Sequence, residues 1–181
     1  MVIGVDLGNK SRNSIVVLDG TKLVDWSRLN YKDSANAWEH RKKIIKQIKE
    51  YIKKYKLTKN DYLLFEQIFF SRGLSRMANI TSMAFLQATI INEFSDKISI
   101  VEVHVQSWKS KVLGSRSATK DDAVALVETN YPEIDLDIIV PHKKKGDEII
   151  KDNDTADAVC IALYPTKVDK KKLDEHLVNY T

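Results

Sequence analysis

The chain has 181 residues, of which 43% are hydrophobic and 30% charged, values typical of one folded domain with a real core. Lysine and arginine exceed aspartate and glutamate by 29 to 25, and this mild positive balance favours a polyanionic partner over an acidic surface. No apolar stretch approaches the ~20 residues of a membrane span and a single cysteine excludes an intrachain disulfide, so we expect a reduced, cytoplasmic protein without a membrane partner.

Elements of both periods follow one another along the chain. Residues 1–29 predict three short antiparallel strands with tight turns between them. Residues 34–56 predict a helix, because apolar side chains recur on one face and lysines occupy much of the rest. The later predicted elements are strand 58–67, helix 74–94, strand 98–104, helix 107–113, a helix capped by Thr119, a polar basic connection 142–151 and helix 153–163.

This order predicts a mixed α/β sheet covered by helices on both faces. Helix 74–94 is apolar nearly all round, so we expect its own sheet to cover one side and a second copy of the chain to cover the other. We assign residues 1–165 to one domain and residues 166–181 to a lysine-rich C-terminal tail.

Four carboxylates carry the chemical signal. Asp6 and Glu66 each close an apolar strand, whereas Asp154 and Asp157 are three residues apart and therefore share one helix face. Continuing that face along the helix gives apolar residues that must pack on the sheet. If the two strands are adjacent, the four acids meet at one edge of it.

Each acid also has a simpler interpretation. Asp6 alone suits a turn, and Asp154 suits a helix cap. Glu66 and Asp157 resist such explanations, because acids in apolar surroundings are costly to bury without a partner. Crowded carboxylates repel one another unless cations join them, and hard oxygen ligands suit Mg²⁺, with Mn²⁺ as a substitute. Two such ions would support phosphodiester hydrolysis.

At these residues the sequence resembles the RuvC family of Holliday junction resolvases, which have a ribonuclease H fold. The first strand with Asp6, the segment Glu66-Gln67-Ile68-Phe69 and the segment Asp154-Thr155-Ala156-Asp157-Ala158 look like three of its motifs. The resemblance covers nearly the whole chain before the tail. It implies a ribonuclease H-like five-stranded mixed sheet and a homodimer through helix 74–94.

The resemblance also implies residue roles. Asp6, Glu66, Asp154 and Asp157 become metal ligands and catalytic residues, and Lys120 matches a catalytic lysine near the scissile phosphate. Other residues are candidates for DNA contact by resemblance, by position or by charge. They are Phe69, Arg72, Arg76, Lys109, Lys111, Arg116, Lys120 and the run Lys143, Lys144 and Lys145.

The chain departs from the family's usual pattern at two places. Asn13 and Ser14 stand where glycines usually follow the first motif, and the stretch 135–151 has no counterpart that we can place. These departures suggest a divergent branch, perhaps encoded by a phage and working in an infected host cell.

The resemblance implies a metal-dependent endonuclease that resolves Holliday junctions by paired symmetric nicks. Three alternatives remain: a general branched-DNA nuclease, a catalytically silent branched-DNA-binding protein, and an actin-like or sugar-kinase ATPase. The last shares the opening motif but needs glycine-rich phosphate loops, and the six glycines here are scattered.

Overall fold

The computed structural model describes residues 1–8, 12–68, 74–142 and 146–178. Its main sheet has five strands in the order β3-β2-β1-β4-β5. The strands are β1 (Val2–Asp6), β2 (Arg12–Asp19), β3 (Lys22–Asn30), β4 (Tyr62–Glu66) and β5 (Ser99–Val103).

The sheet is mixed, as predicted. The first three strands form an antiparallel meander, and β4 and β5 run parallel to β1. The carboxyl ends of β1 and β4 therefore meet at one edge of the sheet. The helices are α1 (Ala37–Lys54), α2 (Leu74–Phe94), α3 (Val105–Val112), α4 (Lys120–Asn130), α5 (Asn153–Leu163) and α6 (Lys170–Asp174).

Alternation along the strands produces two apolar layers. Ile3 and Val5 of β1 face a core shared with α1 and α2, whereas Val2 lies in a core shared with α3, α4 and α5. The helices thus cover both faces, in agreement with the predicted fold class. Among the described residues, none of the helices combines the length and the hydrophobicity that crossing a membrane requires.

Local capping explains where several helices begin. Thr119 caps α4 through a complete capping box with Asp122, as the sequence predicted. Asn36 caps α1 by accepting a hydrogen bond from the Glu39 amide at 3.0 Å. These polar caps supply partners for amides at the helix starts.

The prediction of a basic connection at residues 142–151 is wrong. Strand β6 (Asp137–His142) pairs with β7 (Gly146–Lys151) in a separate two-stranded antiparallel sheet. Ile139 and Ile149 stand opposite each other on it and are both largely exposed. This hairpin leads directly into α5.

The C-terminal segment returns to the main sheet. Leu173 of α6 is buried, and Leu177 forms an antiparallel bridge with Val101 of β5. The Val178 amide donates to the Ile100 carbonyl oxygen at 2.9 Å. The described part of the lysine-rich tail is therefore packed along the β5 edge.

Candidate active site

Strand geometry brings the first two predicted acids together. β1 and β4 are parallel neighbours, with Val5 opposite Phe65, so Asp6 and Glu66 follow that pair at the same edge. Alternation then directs both side chains to the face that α5 covers, because Val2 and Leu64 belong to that core. The predicted adjacency of the two strands is confirmed.

Helix α5 brings the other two acids to the same edge. Asp154 and Asp157 lie on its first two turns, and Ala158 and Ile161 on the continuing face are fully buried against the sheet. A Cβ atom built on Gly4 would lie only 2.4 Å from the Ala158 carbonyl oxygen. Only glycine at this place in β1 lets the backbone of α5 come so close.

The cap of α5 is Asp152, which corrects the alternative in which Asp154 caps the helix. The Asp152 carboxylate is completely buried and accepts hydrogen bonds from the Thr155 amide and hydroxyl. Arg28 of β3 donates to it through Nε and also binds the Asp135 carbonyl oxygen at 2.6 Å. Arg28 therefore ties the start of α5 to the far side of the meander.

Arg12 lies between two of these acids. Its Nε is 3.7 Å from Asp152 Oδ1 and 3.7 Å from Asp154 Oδ2. Deeper in the same region, the hydroxyls of Ser14 and Thr155 are 2.7 Å apart and buried. Strand β2 is therefore joined to α5 by charge at the surface and by a hydrogen bond inside.

The four predicted ligands influence one another electrostatically. Burial, followed by the charges of Asp157, Asp154 and Glu66, raises the pKa of Asp6 well above its usual value. Burial is also the main cause that raises the pKa of Asp157, to about 6. A site that raises the proton affinity of its acids also attracts other cations.

The remaining two acids follow the same trend. Burial raises the pKa of Glu66, against the lowering effects of a hydrogen bond from Trp108 Nε1 at 3.2 Å and of nearby positive charges. Burial and then Asp152 raise the pKa of Asp154, and Arg12 opposes them. All four carboxyl groups are therefore poised to accept positive charge.

Two predicted lysines accompany the acids. Lys120 begins α4, and its charge lowers the pKa of Asp157 and of Glu66. Lys109 of α3 also acts on Asp157 and donates from Nζ to the Ala118 carbonyl oxygen at 2.7 Å. Both cations thus lie close enough to the cluster to influence its charge.

The other predicted DNA-contacting residues fall into two groups. Lys111 and Arg116 line a surface groove beside α3. Arg76 belongs to α2. The predicted contacts by Phe69, Arg72, Lys143, Lys144 and Lys145 lie outside the described residues.

Sequence reasoning missed the residues that support the ligands. The Asn13 amide nitrogen is 2.8 Å from His40 Nε2, and Asn13 Oδ1 accepts from the Gly8 amide at 2.9 Å. Buried polar residues in place of the expected glycines were the signal for this network. Asp152 and Trp108 had no comparable signal, because neither stood out from its local pattern.

The site is an acidic cluster rather than a closed metal cage. Within the described part of the chain, no three Asp, Glu, His or Cys side chains are arranged so that they could already hold a metal ion. The donor chemistry nevertheless fits a hard divalent cation, because four carboxylates with raised proton affinity share one edge.

Comparison with known proteins identifies the fold. No family model and no curated protein matches the sequence. Among solved structures, RuvC of Thermus thermophilus matches with 15% identity and a TM-score of 0.61 over 97% of each chain. The same protein in complex with a Holliday junction substrate matches with 16% identity and a TM-score of 0.63, over 97% of this chain and 96% of that one.

A third match is more distant. A Fowlpox virus resolvase in complex with substrate Holliday junction DNA has 12% identity and a TM-score of 0.43, over 97% of this chain and 99% of that one. The two Thermus structures suffice for the architecture. The chain therefore has the ribonuclease H-like fold of RuvC.

Proposed function

We propose that this protein is a Holliday junction resolvase, a metal-dependent endonuclease that hydrolyses phosphodiester bonds in four-way and other branched DNA. One observation carries the proposal: the RuvC fold brings four mutually repelling carboxylates to a single edge of its sheet. A cluster of this kind costs folding energy, so it is best explained as a ligand set.

Asp6, Glu66, Asp154 and Asp157 would hold the metal, with Mg²⁺ as the preferred ion and Mn²⁺ as a substitute. Two bound ions would supply an activated water and would stabilise charge on the leaving oxygen. The Trp108 Nε1–H bond orients Glu66, and the cap at Asp152 fixes the start of α5. These supports limit the freedom of the proposed ligands before substrate arrives.

Lys120 and Lys109 are suited to the phosphate. Both exert their charge on Asp157, and a lysine close to an acidic ligand can also attract the phosphodiester that approaches it. Hydrolysis adds water across the bond between phosphorus and the 3′ oxygen, and it leaves a 5′-phosphate and a 3′-hydroxyl.

Symmetric nicking requires two sites, and we propose that the chain forms a homodimer through α2. Leu86 and Ile90 of α2 are buried on the sheet, whereas Phe85 is 54% exposed on the other side. A two-fold dimer through that side would match the two-fold pseudo-symmetry of a four-way junction.

The decisive experiment is cleavage of a synthetic four-way junction, a Y-fork and a linear duplex in Mg²⁺, with the nick positions mapped. We expect paired nicks in the junction and little cleavage of the duplex. Asp6→Asn and Glu66→Gln should each lower the cleavage rate roughly 100-fold or more, because the ligands supply several kcal/mol of transition-state stabilisation.

Asp96→Asn and Glu50→Gln are the matched controls, since each makes the same chemical change at an exposed position. Both should cleave at the wild-type rate. Binding to the junction without cleavage in either Mg²⁺ or Mn²⁺ would contradict the proposal and would favour a catalytically silent binding protein.

A further inference from the structure

A groove on the surface runs between α3 and the C-terminal segment. Six of its lining residues carry the inference, and we call the site that they define the α3–α6 groove. They are Gln67, His104, Lys111, Arg116, Lys172 and His176.

The chemistry of the groove is uniform. Lys111, Arg116 and Lys172 contribute permanent positive charges, and the other lining residues are histidines, glutamines and serines. No carboxylate is among its described lining residues. A concave surface with cations and neutral hydrogen-bond donors suits an anion that extends along it.

The α6 side of the groove is held by the body of the protein. Asp169 caps α6 by accepting from the Lys172 amide at 2.8 Å, and Leu173 is buried. The Glu102 amide donates to the His176 carbonyl oxygen at 3.3 Å. Lys172 is half-buried in this setting, whereas Lys170 and Lys171 are exposed.

The other side is equally fixed. His104 Nδ1 accepts from the Gln106 amide at 3.1 Å and so caps α3, which also carries Lys111. The groove therefore has two preorganised walls, and ordering its side chains on binding costs less than ordering a mobile tail.

The groove begins beside the proposed catalytic site. Gln67 directly follows Glu66, and its amide donates to the Val103 carbonyl oxygen at 2.9 Å. His104 is near enough for its charge to act on the Glu66 carboxyl group. A strand leaving the acidic cluster on this side meets the groove first.

We infer that the α3–α6 groove binds the phosphodiester backbone of a DNA arm that leaves the catalytic site, with Lys172 of the C-terminal segment as a phosphate contact. The inference rests on the proposed function and adds to it a second, non-catalytic DNA site. Backbone binding at such a site is independent of base sequence and weakens with salt.

The test compares two neighbouring lysines. Lys172→Gln changes the groove, and Lys171→Gln makes the same charge change on the exposed face of the same helix. Binding to a labelled four-way junction is measured by fluorescence anisotropy in EDTA over a series of salt concentrations. Lys172→Gln should weaken binding and reduce the slope of log K against log salt by about 0.9, the value for one lost phosphate contact.

The double variant Lys111→Gln and Lys172→Gln should reduce the slope by about twice as much. Under cleavage conditions the Lys172→Gln variant should show a raised KM with an unchanged kcat, because the groove does not touch the scissile bond. Lys171→Gln should match the wild type in both measurements.

Two results would overturn the inference while leaving the proposed function intact. One is wild-type affinity and salt slope in the Lys172→Gln variant, provided that the wild type cleaves the junction. The other is an equal loss in both single variants, which would indicate a general charge effect. Failure of the wild type to cleave any branched DNA would instead contradict the proposed function.

Discussion

Asp152 and Asp154 show how two aspartates on one helical turn differ in what surrounds them. Asp152 is completely buried, but Arg28 and the Thr155 amide and hydroxyl satisfy its charge. Asp154 is partly exposed, and burial and its neighbour Asp152 together raise its pKa. The first carboxylate holds the helix, and the second is an acid that the fold tolerates at a cost.

The two aspartates should therefore respond oppositely to the same substitution. Asp152→Asn should lower the free energy of unfolding by about 3 kcal/mol, because Arg28 loses its partly buried partner. Asp154→Asn should leave it within about 0.5 kcal/mol of wild type or raise it, because a repelled charge is removed. Chemical denaturation measures both values.

Cleavage provides the second measurement for this pair. Asp154→Asn should abolish cleavage while the protein stays folded, as expected of a ligand. Destabilisation of Asp154→Asn as large as that of Asp152→Asn would show that Asp154 is a structural residue instead.

His40 belongs to a network that fixes its protonation state. Asn13 Oδ1 accepts from the Gly8 amide, so the Asn13 amide donates to His40 Nε2. His40 Nδ1 then donates to the Ser34 hydroxyl at 3.3 Å. The ring is neutral in this arrangement, and burial followed by the charge of Lys43 lowers its pKa against the raising effect of Asp33.

Stability should consequently fall at acidic pH. Below the ordinary histidine pKa of 6.5, the unfolded chain binds a proton that the folded chain excludes. The contribution of His40 is complete above that pH, and it is lost at up to about 1.4 kcal/mol per pH unit below it. Denaturation between pH 7.5 and 5 should show this slope in the wild type and a shallower slope in His40→Asn.

At the scale of elements, the contact between β1 and α5 decides whether the acids can meet. A Cβ atom on Gly4 would lie 2.6 Å from the Ala162 amide nitrogen and 2.7 Å from Ala162 Cβ, as well as close to the Ala158 carbonyl oxygen. Two of these three neighbours are backbone atoms, which cannot turn aside. The helix as a whole must move if Gly4 gains a side chain.

Gly4→Ala should lower the free energy of unfolding by about 1–3 kcal/mol, the usual cost of overpacking. It should also reduce cleavage sharply, because Asp154 and Asp157 move with α5 away from Asp6. Gly20→Ala is the control, since Gly20 has a positive φ of 61° but nothing within 4 Å of the added Cβ. It should lose some stability from strain and keep its cleavage rate.

Prediction from sequence succeeded where local rules act alone. Helix α2 begins and ends at Leu74 and Phe94, as the pattern predicted, and the capping box at Thr119 is present. The hairpin of β6 and β7 was missed because its strands are short, one contains Pro141, and a two-stranded sheet has no core of its own. The supporting contacts of Asp152 were missed because Arg28 is distant in sequence.

At the scale of the whole molecule, the outer side of α2 is the candidate surface for self-association. Phe85 is 54% exposed there, with Arg41 stacked over its ring at 5.2 Å. Trp38 on α1 is similarly exposed, at 53%, and is not part of α2. The two aromatic residues allow a matched comparison.

Phe85→Glu should convert the dimer to a monomer at micromolar concentration and should replace paired nicks by single ones. Sedimentation velocity and nick mapping on one junction measure these outcomes. Trp38→Glu should remain dimeric. A wild-type protein that sediments only as a monomer would contradict the proposed dimer, whatever its activity.

The bridge between Leu177 and Val101 also has a consequence for how the protein is made. β5 is an outer strand of the sheet, and an uncovered outer strand can pair with other chains. During synthesis β5 leaves the ribosome well before Leu177 exists, so a nascent chain with all five strands still has this border open. The last turns of translation thus close the sheet, and a stalled or shortened product should be the form most prone to aggregate.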